Sequence, residues 1–305
     1  MTKFFRFSSL VLLLMPATGV AQDFDVGLAA ASDGDFVTTL REWKPLAELG
    51  HVDAQLGLGF MYRHGDGVAQ DDAEAIRWFR KAAEQRHAEA QFSLGFMYDE
   101  GLGVAQHYAE AARWYLAAAE QGHADAQFNL GLMYDNGHGV AQDDSEAVRW
   151  YRQAAEQGHA RAQFNLGIMY YEGQGVAQDD AEAVRWYRQA AEQGHARAQT
   201  LLGLKYSLSE GVLQDDAEAV NWLRRAAKQG DEIAQHVLGI MYREGNGVVR
   251  NFATAHMWFN IAAANGNDSA REQRDKIADL IPADGLAEAQ HRALVCMKSN
   301  YQVCD

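Results

Sequence analysis

The chain has 305 residues, 48% of them hydrophobic and only three of them proline, a composition that excludes a disordered polymer and suits a helix-rich fold. Its formal charge of −15 at pH 7 repels phosphate and anionic headgroups. Nucleic acid and acidic membrane surfaces are thereby excluded as natural partners, and basic proteins, basic peptides or neutral glycans are favoured.

Residues 1–21 predict an export signal peptide. Lys3 and Arg6 supply its positive start, Leu10 to Met15 its apolar run, and Gly19-Val20-Ala21 a small-residue cleavage site. The apolar run is far shorter than the ~20 residues that cross a hydrocarbon core. The expectation is cleavage near Ala21, no stable membrane insertion, and a periplasmic or secreted protein. No cysteine near that site supports a lipid anchor.

Residues 22–55 carry a degenerate copy of the pattern that follows. Trp43 falls one place beyond the tryptophan column, and Pro45 is expected to interrupt the helix.

From 56 to 271 the sequence repeats six times with a period of 36 residues. The beat is kept by Gln55, Gln91, Gln127, Gln163, Gln199 and Gln235, and equally by a glycine, a tyrosine and a tryptophan column represented by Gly131, Tyr134 and Trp150. In each unit, Ala126, Leu130 and Tyr134 are four apart, on one face of a first helix, helix A. Gly137-His138-Gly139 ends that helix, since glycine takes the positive φ of a chain reversal. Helix B starts at Asp143 or Asp144, with Asp143 and Glu146 spaced as a capping box that recurs as Asp71/Glu74, Asp179/Glu182 and Asp215/Glu218. Ala147, Trp150, Ala154 and Ala155 make its buried stripe, and Gly158 closes it. Neither helix can bury its apolar face alone, so the units must stack. The fold class is all-α, a superhelical α/α solenoid of helix-turn-helix repeats. Departures at three columns break the period: Arg86 for the closing glycine, Ser209 for the first loop glycine, and His107 or Asn251 for the helix B aspartate. Arg86 should be strained, and the turn at 207–210 should differ in shape from its counterparts.

Residues 272–305 predict C-terminal capping helices, with the apolar segment Ala278 to Leu294 covering the last repeat. Cys296 and Cys304 follow, and in an exported protein they predict a small disulfide loop, the alternatives being free thiols or a metal site.

The pattern Ala126, Leu130-Gly131, Tyr134, Gly137, Gly139-Val140, Asp143, Ala147, Trp150-Tyr151, Ala154-Ala155, Gly158 resembles the Sel1-like repeat, a relative of the tetratricopeptide repeat. The resemblance implies a scaffold that binds a protein or peptide, such as a cell-envelope component, with helix A lining a concave face. It also brings two other roles into view: an enzyme of the cysteine-rich, β-lactam-hydrolysing kind, or a periplasmic adaptor regulating a signalling receptor. The former carries a cysteine pair in every repeat, and this chain has no cysteine between 22 and 295.

Chemistry is sparse. His51, His87, His123, His159 and His195 recur at the period, but units stacked ~8–10 Å apart hold these rings too far apart to share an ion. They are read as helix-junction residues, and no metal or cofactor is expected. There is no His-Glu-x-x-His, Gly-x-Ser-x-Gly or Ser-x-x-Lys motif, so no catalytic residue is assigned. The binding candidates come from comparing two nearly identical units. Residues 128–163 and 164–199 differ at only five positions, of which Asp135/Tyr171, Asn136/Glu172 and His138/Gln174 cluster at the end of helix A. On a helix drawn at ~100° per residue, Asn129, Leu132 and Asn136 lie opposite the structural face, flanked by Phe128 and Asp135. The candidate partner-binding set is Arg63, His64, Ser93, Asp99, Glu100, Asn129, Asp135, Asn136, Asn165, Tyr171, Glu172, Arg243 and Glu244.

Overall fold

The computed structural model describes residues 23–304, so the expected signal peptide lies outside the described residues. Among them are sixteen helices and no strand, and the fold is an all-α solenoid of helix-turn-helix repeats. The chain divides into two compact units, one ending at Ala82 and one beginning at Ala83.

The first unit contains α1 (Phe24–Ser32), α2 (Phe36–Glu48), α3 (Val52–His64) and most of α4 (Asp72–Glu84). Its core gathers Trp43, Ala47, Ala54, Leu58, Met61 and Trp78. Trp43 stacks on Phe24 at 5.4 Å, and its indole N–H donates to the Phe24 carbonyl at 3.1 Å. Pro45 does not interrupt α2, which runs on to Glu48. Pro45 lies near the C-terminal end of a helix held on both sides by the buried Trp43 and Ala47, and packing there outweighs one missing backbone donor.

The second unit holds α5 (Ala88–Glu100), α6 (Tyr108–Ala119), α7 (Ala124–Asn136), α8 (Asp144–Glu156), α9 (Ala160–Glu172) and α10 (Asp180–Glu192). It continues with α11 (Ala196–Leu208), α12 (Asp216–Ala227), α13 (Glu232–Glu244), α14 (Phe252–Ala264), α15 (Asp268–Ala278) and α16 (Ala283–Lys298). From α5 to α15 each helix packs on the next, and α14 carries both α15 and α16. The first helix of each pair therefore plays the part of helix A and the second that of helix B.

The sequence columns now have physical jobs. Buried Gln127 donates from Nε2 to the Ala119 carbonyl at 3.1 Å and accepts from Gln157 Nε2 at 2.7 Å, so it ties together three successive helices. Gln91, Gln163, Gln199 and Gln235 repeat this. Gly131 exists because a Cβ there would lie 2.6 Å from the Tyr151 ring, which fills the space between helix A and helix B. The histidines cap helix A: His123 Nδ1 accepts from the Ala126 N–H at 3.3 Å, while the Phe92 ring of the preceding repeat stacks on its imidazole at 4.7 Å. His159 and His195 do the same with Phe128 and Phe164. An N-cap of this kind contributes ~1 kcal/mol per helix.

Two sequence expectations change. Helix B is capped by Asp143 accepting from Ser145 and Glu146 N–H, but the box is not reciprocal. The Asp143 N–H instead donates to the Tyr134 carbonyl, and Glu146 turns outward to Arg149, as Glu74 and Glu182 turn to Arg77 and Arg185. A guanidinium three residues on offers a stronger, charge-assisted bond than a second amide. The turn at 207–210 keeps its neighbours' shape. Ser209 adopts φ 60° and ψ 37°, close to the 72° and 30° of Gly173, because the backbone bonds from 209 and 210 to the Lys205 carbonyl impose the same reversal. Arg86 is left-handed too, at φ 67°. His107 and Asn251 both serve as side-chain caps of their helices.

Candidate partner-binding site

The site grows out of one column that the sequence reading passed over. The helix B aromatic facing the helix A glycine is a tyrosine in three consecutive repeats, and its hydroxyl is buried. Tyr115 donates to Asp99 Oδ2 at 3.2 Å, with Asn129 of the next helix A on the same hydroxyl. Tyr151 donates to Asp135 Oδ2 at 3.0 Å, with Asn165 beside it. One repeat further on, Tyr171 stands where Asp135 stood and Leu201 where Asn165 stood. Tyr187 is 0% exposed, and among the described residues its hydroxyl has no hydrogen-bond partner.

Burial, followed by the charge of the nearest carboxylate, pushes all three phenols well above their ordinary range, so each remains a donor at any physiological pH. Burial likewise raises the Asp99 carboxyl, against the opposing bond from Tyr115.

At this break lies a pocket of about 300 Å³ between α9, α10 and α11. Ile168, Leu201, Leu204 and Leu208 give it apolar walls, with Tyr171 on one side and Tyr187 in its lining. Lys205 is 4% exposed, yet its charge is paired. Its Nζ lies 2.5 Å from Glu210 Oε2 and 3.5 Å from the centre of the Tyr171 ring. Glu172 is exposed at the rim, and no hydrogen bond or ion pair from the described residues engages it. Tyr171 and Leu208 are 39% and 60% exposed, an unusual outlay of large apolar surface beside a cavity.

The candidate residues fall into separate groups. Tyr171 and Glu172 share the pocket just described. Asp99, Glu100 and Asn129 line a second one of about 340 Å³ with Asp125 and Arg161. Asp135 and Asn165 meet at Tyr151, while Asn136 is exposed and its amide donates back to the Leu132 carbonyl at 2.8 Å. Arg243 is half-buried and committed to Gln273 and to Glu244 at 2.7 Å. Arg63 and His64 belong to the first unit, where the exposed His64 stacks on Phe60 at 6.1 Å. Ser93 leaves the accessible set: it is only 4% exposed, although its equivalents Asn129 and Asn165 are half-buried. Phe128 is likewise 2% exposed, drawn inward by its stack on His159.

Tyr187, Leu201, Leu204, Lys205 and Leu208 escaped the sequence reading. The signal was present in the Asp135/Tyr171 exchange, but its consequence depends on a tyrosine sixteen residues later. Among the described residues, no group of His, Cys, Asp and Glu is placed to hold a metal ion, and no helix is long and apolar enough to cross a membrane. Cys296 and Cys304 face one another with Cα atoms 4.5 Å apart, within reach of a disulfide.

A family model described as the Sel1 repeat matches residues 52–87, 88–123, 124–159, 160–195, 196–231 and 233–267. Among solved structures, the chain is similar to a protective antigen present in uropathogenic Escherichia coli strains that displays an SLR fold. The two share 39% identity at a TM-score of 0.77 over 86% of this chain, which spans 56% of the length of that one. It is also similar to a Sel1 repeat protein from Oxalobacter formigenes, with 33% identity and a TM-score of 0.69 over 80% of this chain and 97% of the other. No curated protein sequence matches the chain.

Proposed function

The chain belongs to the Sel1 repeat family, and from that premise we propose that it is an exported, non-catalytic scaffold that binds a protein or peptide partner on the helix A face of its second unit. Proteins built from such repeats are commonly protein–protein interaction scaffolds. The observation that carries the reading is the meeting of Tyr171 and Leu201, which stand where the preceding repeat has Asp135 and Asn165, with Glu172 around a half-open apolar pocket, where the two preceding repeats place a satisfied polar network. Aromatic and aliphatic side chains around a pocket with a charged rim are the usual anchors of a protein interface. Export is supported by residues 1–21 and by a cysteine pair suited to an oxidising compartment.

Cross-linking in intact cells, followed by mass spectrometry of the captured partners, tests the scaffold reading. A partner captured by the wild type and lost from a Tyr171→Ala/Glu172→Ala double variant of unchanged helicity is the expected result. Equal capture by both moves the binding surface elsewhere, and no partner at all overturns the reading. Intact mass of the envelope-fraction protein tests cleavage after Ala21 and oxidation of Cys296 with Cys304.

A further inference from the structure

We infer that the pocket between α9 and α11 receives one apolar side chain of a partner's peptide segment, with a lysine or arginine beside it, and that a backbone carbonyl of that segment accepts the Tyr187 hydroxyl. This deepens the scaffold reading above and rests on it.

The donor comes first. Tyr115 and Tyr151 show what this position does when the fold satisfies it: the hydroxyl is held by an aspartate 16 residues before it and reached by an asparagine 14 residues after it. In the third repeat both partners have become apolar or aromatic, and Tyr187 keeps its hydroxyl without either. The desolvation of that donor has already occurred in the free protein, so an acceptor brought by a ligand gains more of the bond than at a solvated site. The phenol stays protonated and its O–H is unpaired, so an acceptor takes the place that Asp99 and Asp135 hold at Tyr115 and Tyr151.

Shape and charge narrow the occupant. Ile168, Leu201, Leu204 and Leu208 favour a hydrocarbon side chain. A volume of about 300 Å³, set against ~30 Å³ per water, holds one large side chain with adjoining backbone but not a folded element. The one cation in the wall, Lys205, is neutralised by Glu210 and covered by the Tyr171 ring. Glu172 at the rim is left uncompensated, so the unsatisfied charge of the site is negative and calls for a basic neighbour on the incoming segment. The second pocket, lined by Asp99 and Asn129, offers no such donor, because Tyr115 is already satisfied.

The test uses the purified protein and a phage-displayed random dodecapeptide library, with the best-enriched peptide then synthesised and titrated by fluorescence anisotropy. Enrichment of an aliphatic or aromatic residue next to Lys or Arg is expected. Tyr187→Phe should weaken binding of that peptide about tenfold while leaving thermal stability unchanged or higher. A Tyr171→Asp/Leu201→Asn double variant, which restores the internal partners of Tyr187, should remove binding and remain folded. No enrichment, enrichment of acidic sequences, or equal affinity for wild type and Tyr187→Phe overturns the inference. If the cellular partner is still lost on Tyr171→Ala/Glu172→Ala but is indifferent to Tyr187→Phe, the scaffold stands and this pocket assignment falls.

Discussion

The same substitution in two nearly identical repeats should change stability in opposite directions. Tyr151 and Tyr187 are both 0% exposed and both sit against a helix A glycine, so Tyr→Phe keeps ring packing constant at each site. At 151 it removes a bond to the Asp135 carboxylate at 3.0 Å and the contact with Asn165. A buried bond to a charged acceptor contributes ~1.5–3 kcal/mol. Asp135 is half-buried and can recover part of its loss from water, so the lower end, about 1.5 kcal/mol of destabilisation, is expected for Tyr151→Phe. At 187 the hydroxyl has no partner to lose, and its removal relieves a desolvated donor, so Tyr187→Phe should be neutral or stabilising by up to ~1 kcal/mol. Urea unfolding followed by circular dichroism, with midpoints compared at a common slope, measures both. Equal destabilisation by the two changes would refute the claim that these repeats differ in how they satisfy their tyrosines.

Other expectations follow from the same geometry. Gly131→Ala forces a Cβ to within 2.6 Å of the Tyr151 ring and should cost ~1–3 kcal/mol by overpacking, read as a lower melting temperature. A surface-neutral effect there would mean the helices separate freely. Arg86→Gly releases a left-handed arginine at φ 67° and should raise stability by about 1 kcal/mol in the same assay, since nothing else in that turn must move. Burial, reinforced by nearby arginines, holds the imidazoles of His195, His236 and His256 below the ordinary value of 6.5. Their contribution is therefore present above pH 6.5 and lost as pH falls through the lower folded-state values, because only the unfolded chain takes up protons readily. Melting temperature should drop from pH 7.5 to 5, and His195→Asn, which preserves the cap of α11 with a group that does not titrate, should make that drop shallower. An unchanged profile would remove His195 from the account.

The regular part of this fold was legible because its causes are local. Gly137, at positive φ before a second glycine, ends its helix, Asp143 caps one from sequence alone, and the 36-residue beat requires each unit to bury its face on the next. Misreadings arose where a neighbour in space decided the matter. Pro45 was expected to break α2, but buried residues on both sides keep the helix whole. Glu146 was expected to close a capping box, but Arg149 competes for it. Ser209 was expected to reshape its turn, but two backbone bonds to one carbonyl hold it left-handed.

For function the division is sharper. Two nearly identical repeats are enough to single out Tyr171 and Glu172 as places where they differ, and the resemblance to a scaffold family follows from the columns that stay constant. What sequence could not supply is the meaning of the break, because Asp135 matters through Tyr151, and Tyr171 through Tyr187 and Leu201, residues that share no turn of helix with it. Periodicity is a one-dimensional property carried by each helix, whereas a hydroxyl left without an acceptor is a property of three helices at once. The solenoid belongs to the sequence; the pocket exists only where α9, α10 and α11 meet.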